Sequence, residues 1–392
     1  MPKDTYRTNP YADVHLSDEQ RQQLVDVVNG CVQSHFEKYE HFVMADKHQM
    51  DERRWECVKF KEGLNVYAER SVDDQTRRGI TPKTDVPQSE AEKELVAMMC
   101  VGTLVGDLED LMFGILSTTW DALRIKAAYI GSVVSGAILC NAVEPTAKEP
   151  FRSVIVRWMA SNRITATGKS RDFVVIEATD ILELHNGERL GYHVFHSVDF
   201  PQTRPLKNTV RGKMSSVSFF RHVHSTIIDS YACSVVDPGM VIKRLQFVPF
   251  AATAMLCAAS YVHCGQMKKL AWMLQRRHVR GKECDGSHRK NKKCVMCGKR
   301  KSIPGFTRST CKLCIGHICS ACKVRVDMKF IGQASELVER KISFCSRCLS
   351  DAVNGSAREA ALEQVVYYHD SYGSGSTFSD SVLFESLSSF SR

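Results

Sequence analysis

The first twenty residues, MPKDTYRTNPYADVHLSDEQ, contain no apolar run that would serve as a secretory signal, so an oxidising compartment is not expected. A clean membrane-spanning run is also missing. Residues 245–267 carry no charge, but Gln246, Thr253, Ser260, His263, Cys264 and Gln266 dilute them, and Pro249 and Gly265 stand near the ends. No catalytic constellation is evident. His193, His196, His222 and His224 fall in or beside strand-like runs, and His222 and His224 share a strand face. No neighbouring acid or cysteine completes a pattern such as His-Glu-x-x-His. These absences argue in turn against a secreted protein, an integral membrane protein and an enzyme.

What is present begins with bulk. At 392 residues and 43% hydrophobic content the chain can bury a full-sized core, as one large domain with a small one or as two or three modest ones. The net charge of +9 is unevenly spread: between Arg276 and Lys301 there are eleven Lys/Arg against two acids, Glu283 and Asp285. Such a run suits a lipid headgroup surface or nucleic acid, or is a solvated linker. The stretch HRKNKK at 288–293 also resembles a nuclear localisation signal.

Of sixteen cysteines, eight are scattered and read as small buried hydrophobes. The other eight form four Cys-x2-Cys pairs: Cys294/Cys297, Cys311/Cys314, Cys319/Cys322 and Cys345/Cys348. Each pair has the bite of a tetrahedral ion, which predicts two zinc ions with four thiolates each. With no cysteine left over for water or substrate, the sites are closed and structural. The spacing leaves two connectivities open, a local four-cysteine knuckle from the second and third pairs or a cross-brace. His317, between two pairs, reads as a surface or supporting residue.

Ahead of the cysteines, Ser17-Asp-Glu-Gln20 is a capping box that predicts a helix with Leu24, Val25 and Val28 on one face. Residues 53–70 alternate around a Gly63-Leu-Asn turn as a hairpin, and 71–93 read as a loop or insert. MMCVGTLV reads as a strand, DLEDLMFGIL as an acid-capped helix, and roughly 120–141 as a second helix. After Pro150 come five strand-like runs with short connections, which predict an antiparallel meander ending at Pro249. A long helix is expected from about Phe250 to His278. Arg157 and Glu177 fall in strands; either one, if turned inward, needs a partner or a ligand headgroup. Asp172, Arg189 and Arg211 lie near turns and are expected in solvent. A short helix is expected over 355–368, followed by a disordered tail, 371–392, with nine serines.

Two resemblances sharpen these readings. The element Cys311-x2-Cys314-x4-Cys319-x2-Cys322 resembles the FYVE-type zinc finger. That likeness implies a cross-brace, with Cys294, Cys297, Cys319 and Cys322 on one ion and Cys311, Cys314, Cys345 and Cys348 on the other. The family's basic, phosphatidylinositol 3-phosphate-reading motif is degenerate here: Arg308 and Lys312 remain, but Ser309 and Thr310 replace the paired histidines. Ser343 replaces an arginine, and RKNKK replaces the Trp-x-x-Asp element. What remains is generic membrane chemistry, an apolar tip (Ile303, Phe306) inside a basic collar (Lys299, Arg300, Lys301, Arg308, Lys312). Ile303 and Phe306 read equally well as the mini-core of the finger.

Upstream, SRDFVVIEATD, GERLGYHVFHSVDFP and FVPFAATAMLCAASYVHCGQMKKLAWML resemble the START lipid-transfer domain. The likeness implies an α+β helix-grip fold, in which an antiparallel sheet and a long C-terminal helix enclose an apolar tunnel. The alanine-rich helix predicts a lipid cavity lined by Phe173, Val175, Phe195, Ala254 and Ala258, or else simply close helix–sheet packing. The combination resembles a START/FYVE family expanded in oomycetes.

The expected organisation is an N-terminal helical segment (1–49), a START-like domain (50–278), a basic linker (279–291), a finger (292–352) and a tail (353–392). The expected function is non-enzymatic. Its partners would be a lipid or other apolar small molecule, an anionic membrane surface and proteins met by the finger or tail. The expected location is cytoplasmic and peripheral on endosomal or other anionic membranes. A nuclear or nucleic-acid module through 276–301 and a helix-grip enzyme are the alternatives, and nucleic acid is the less favoured partner.

Overall fold

The computed structural model describes residues 9–11, 14–79, 95–131, 134–161, 169–207, 209–224, 226–239, 242–280, 293–300, 309–332 and 335–374. The chain divides into two compact units, Met1–Val262 and His263–Arg392.

The first unit is built on one sheet. Its strands are β1 (Trp55–Lys61), β2 (Leu64–Glu69), β3 (Val96–Val105), β4 (Val134–Val143), β5 (Ser153–Ser161), β6 (Ser170–Glu183), β7 (Arg189–Ser197), β8 (Thr209–Arg211), β9 (Lys213–His224) and β10 (Ile227–Asp237). They lie in the order β1-β2-β3-β10-β9-β7-β6-β5-β4, with β8 beside β6. Every pairing is antiparallel except β6/β8. The β1–β2 turn uses positive φ at Glu62 (48°) and Gly63 (85°), the left-handed pair a tight hairpin requires. A side chain at Gly63 would meet the Thr103 carbonyl at 2.6 Å.

Strand alternation sorts the sheet into two faces. Helix α1 (Asp18–Met44) starts at the expected capping box, with Ser17 Oγ accepting from the Gln20 amide at 3.2 Å and Gln20 answering at 2.9 Å. Its Leu24, Val28, Tyr39 and Phe42 share a core with Val174, Ile176, Ala178, Tyr192, Val194 and Phe219. The opposite face takes α3 (Leu108–Ile115), α4 (Trp120–Ile130) and the helical residues Arg244–Ser260 of the same unit; α2 (Val72–Arg77) is a short separate turn. This is the α+β helix-grip arrangement expected from the sequence.

Two elements differ from expectation. The helix read over 120–141 stops at Gly131, a left-handed cap with φ 71°. The residues after it form β4, because their alternating apolar positions pair with β5. The long helix starts earlier than expected and is interrupted: α5 (Arg244–Met255), a 3-10 turn (Leu256–Ser260), then α6 (Tyr261–Arg280). Pro249, read as a strand end, lies inside α5, where it lacks the amide that would bond the Leu245 carbonyl.

The second unit holds most of α6, the hairpin β11 (Lys323–Ile331) and β12 (Leu337–Cys345), α7 (Ser346–Asn354) and α8 (Ala357–Ser374). Its α6 residues are tied to their neighbours. Lys269, 1% exposed, donates to the carbonyls of Val353 (2.6 Å) and Gly355 (2.7 Å) at the end of α7. Trp272 Nε1 donates to Glu363 at 2.7 Å, and Arg276 pairs with Glu359 and Glu363 while stacking on Trp272.

Candidate functional sites

The four cysteine pairs come together as two groups, Cys294–Cys297–Cys319–Cys322 and Cys311–Cys314–Cys345–Cys348. In each group the sulfur atoms lie within 4.8 Å of one another. This resolves the open connectivity in favour of the cross-brace. Local turns shape each half-site. The Gly298 amide donates to the Cys294 carbonyl at 2.9 Å, and the Ile315 amide to the Cys311 carbonyl at 2.9 Å. Cys345 ends β12 and caps α7, its sulfur accepting from the Cys348 amide at 3.4 Å.

Burial pushes the Cys294 thiol up, but amides of Cys297, Cys319 and Met296 outweigh it and bring the group to about 6, whereas hydrogen bonds from Cys319 and Cys297 push Cys322 of the same group up to about 12, so a bound metal would displace protons the sulfurs share. Four sulfurs per group fit a tetrahedral ion with no open position. His317 is not among the ligands; its Nδ1 lies 3.2 Å from the Ser309 carbonyl. Arg277 of α6 donates to the carbonyls of Lys312 (3.2 Å) and Leu313, inside the second knuckle.

In the first unit, the chemistry sits on the sheet face opposite α1. Glu177 on β6 is 3% exposed and faces three nitrogens. Lys126 Nζ from α4 lies 2.7 Å away, His193 Nε2 from β7 lies 2.9 Å away, and Arg157 from β5 is in direct contact. Lys126 also donates to the Ile115 carbonyl at 2.9 Å. Burial raises the Glu177 carboxyl, but Lys126, Arg157 and His193 overcome it and hold the group well below the usual carboxylate range. Burial also lowers the His193 pKa and keeps the ring neutral.

Two cations and a neutral imidazole thus converge on one buried carboxylate. The Arg157 Nε is buried with no hydrogen-bond partner among the described residues. Aromatic rings border the cluster: the Arg157 guanidinium sits 5.8 Å over Phe195, and Tyr261 meets His193 edge-on at 5.9 Å.

The residues expected to line a cavity separate. Phe173, Val175 and Phe195 share this same sheet face by strand parity with Glu177 and His193. Ala258 is half-buried in the 3-10 turn. Ala254 is exposed on α5 and does not line the interior. Small size was a poor guide there, because an alanine fits a solvent-facing position as readily as a cavity wall. Among the expected membrane-contact residues, Lys299 and Arg300 are exposed and Lys312 is half-buried, while Lys301, Ile303, Phe306 and Arg308 lie outside the described residues.

Of the three residues expected in solvent, Arg189 is exposed, whereas Asp172 and Arg211 are not. Asp172 is fully buried, accepting from Trp158 Nε1 at 3.0 Å and pairing with Arg211 at 2.9 Å, with Tyr11 closing the group. Arg276 and Arg277, read as part of an anion-seeking run, are engaged within their own unit. On the α1 side a cleft of about 460 Å³ opens between Phe36, Arg152, Asp180 and Tyr192. Nothing in the strand pattern signalled it, since it depends on where α1 crosses the sheet.

No protein-family model and no curated protein matches the chain. Solved structures do. The chain is similar to human StAR-related lipid transfer protein 5 at 12% identity, over 62% of this chain and 97% of that one, with a TM-score of 0.39. It is similar to human STARD10 at 13% identity, over 62% and 82%, with a TM-score of 0.36. It is also similar to a STAR-related lipid transfer protein from Xanthomonas axonopodis at 14% identity, over 54% and 99%, with a TM-score of 0.34. The fold assignment rests on the strand order and helix placement above.

Proposed function

We propose that this chain is a non-enzymatic lipid-binding protein, whose first unit takes an apolar molecule with a hydrogen-bond-accepting headgroup and whose second unit is a two-zinc finger. The observation that carries the reading is the Lys126–Arg157–Glu177–His193 cluster. A buried Arg157 Nε without a hydrogen-bond partner among the described residues is costly unless something answers it. A carbonyl, ester or phosphate oxygen does so while its apolar body lies along Phe173, Val175 and Phe195. Glu177 and His193 are 2.9 Å apart, but two cations hold the carboxylate ionised, which suits anchoring better than proton transfer.

Zinc is the ion of choice for the two four-sulfur groups, since it favours tetrahedral thiolate sites. The finger associates with anionic membranes or protein partners, and the protein works in the cytoplasm as a peripheral component. Native mass spectrometry of the full chain purified from its own cells tests the reading. A retained lipid mass that Arg157→Met reduces supports it; an unliganded wild type that also fails to take up fluorescent lipids overturns it.

A further inference from the structure

Helix α5 has an unusual surface. Its exposed positions, Leu245, Gln246, Pro249, Phe250, Thr253 and Ala254, recur at helical spacing along one face. None is charged. Leu245 is 88% exposed and Phe250 38%. The other face is apolar as well: Phe247, Val248, Ala251 and Ala252 are buried, and the helix packs against β1, β2 and β3. A surface helix normally turns charged residues outward, and one that is apolar all round belongs in an apolar environment.

The segment Arg244–Arg277 is long and apolar enough to cross a membrane. A transverse path conflicts with the seating of α5 on the sheet and with the 3-10 break after it. A helix lying in the plane of a membrane surface conflicts with neither.

The margin of this stripe is basic. Lys243 precedes the helix, and Lys59 and Lys61 stand exposed on the edge strand β1. Lys59 Nζ donates to Thr253 Oγ1 at 2.7 Å, which places it beside the stripe. The acids on this side are paired: Glu62 with Lys61 at 3.6 Å, and Glu56 and Glu69, near Arg244 at the start of the helix, with Arg70 at 3.7 Å and Arg54 at 2.8 Å. An uncharged band rimmed by lysines is complementary to an anionic bilayer, with apolar side chains entering the acyl boundary and ammonium groups at the phosphates.

We propose that the exposed face of α5 is a membrane-docking surface for anionic bilayers, separate from any contact made by the finger. The inference does not depend on the first unit carrying a lipid, because vesicle binding is measured without added ligand. The test uses the full chain with phosphatidylcholine vesicles, with or without about one-third phosphatidylserine.

Leu245→Ser with Phe250→Ser should lower partitioning onto the anionic vesicles by about tenfold or more. Val223→Ser, another exposed apolar residue, should leave partitioning unchanged. Leu245→Trp should report insertion directly, its emission quenched by brominated acyl chains, and should still do so when Lys299→Gln and Arg300→Gln weaken the finger's contact. Wild type that ignores both vesicles, a double variant that binds like wild type, or an unquenched Leu245→Trp on sedimented vesicles would each overturn the proposal. Self-association in solution that the double variant abolishes, without vesicle binding, would assign the stripe to a second copy instead.

Discussion

Arg157 and Glu177 stand diagonally across the β5/β6 pair: Glu177 is level with Ile155, and Arg157 is level with Val175. His193 takes the matching diagonal position across β6/β7, where Glu177 is level with Phe195. One carboxylate is therefore flanked by both neighbouring strands and capped by Lys126 from a helix.

This arrangement makes the two partners unequal. Glu177→Gln removes the buried carboxylate that Lys126, Arg157 and His193 share and should cost about 3–5 kcal/mol of stability. Arg157→Met leaves Glu177 with Lys126 and His193 as partners and should cost clearly less. The same change should weaken uptake of a lipid with an accepting headgroup by roughly ten- to a hundredfold, the worth of a charge-assisted hydrogen bond. Urea unfolding and fluorescent-lipid titration of both variants check the order.

Two buried groups give stability opposite pH dependences. Burial depresses the His193 pKa. The unfolded chain thus binds the extra proton first, and stability present above about 6.5 falls as pH drops toward the folded value. Burial instead pushes Asp180 up to about 6. Its contribution is complete below about 3.9 and is lost as pH rises through about 6. Between pH 5 and 6.5, His193→Gln should flatten the rise of melting temperature with pH, and Asp180→Asn should steepen it.

Metal analysis should find two zinc ions per chain, and Cys297→Ala should lose one. Because Arg277 donates to the Lys312 and Leu313 carbonyls and Lys269 to the end of α7, chelation should also loosen part of α6. Hydrogen exchange should rise over residues 263–280 and stay unchanged over 55–69 and 96–105. Exchange that rises equally in both units would show that metal holds the whole chain together.

Leucine at the two alanines separates surface from interior. Ala254→Leu sits on the exposed stripe and should change stability by less than about 0.5 kcal/mol. Ala258→Leu enters the half-buried 3-10 turn and should cost about 1–3 kcal/mol where the region is filled, or lower lipid uptake without that cost where it is open. Thermal unfolding and uptake measured on the same samples distinguish these outcomes.

Sequence alone determined what depends on local spacing. Four Cys-x2-Cys pairs announced metal ligands because a two-residue gap is the bite of a tetrahedral ion. Ser17 and Gln20 announced α1, and the runs after Pro150 announced their strands, because period-two alternation is a property of neighbouring residues.

Tertiary structure decided what depends on distant partners. Val134–Val143 has the apolar content of a helix or a strand, and pairing with β5 chose the strand. Asp172 looked solvated until Arg211, Trp158 and Tyr11 closed around it. Glu177 was legible as an inward charge needing a partner, but Lys126 reaches it from a helix 51 residues away, a separation no periodicity records. The run from Arg244 to Arg280 reads as one apolar stretch, yet α5 packs on the sheet while α6 is pinned within the finger's unit by Lys269, Trp272 and Arg277. Hydrophobic burial and charge pairing act through space, so the same residue types could be assigned to one unit or the other only once the chain had folded.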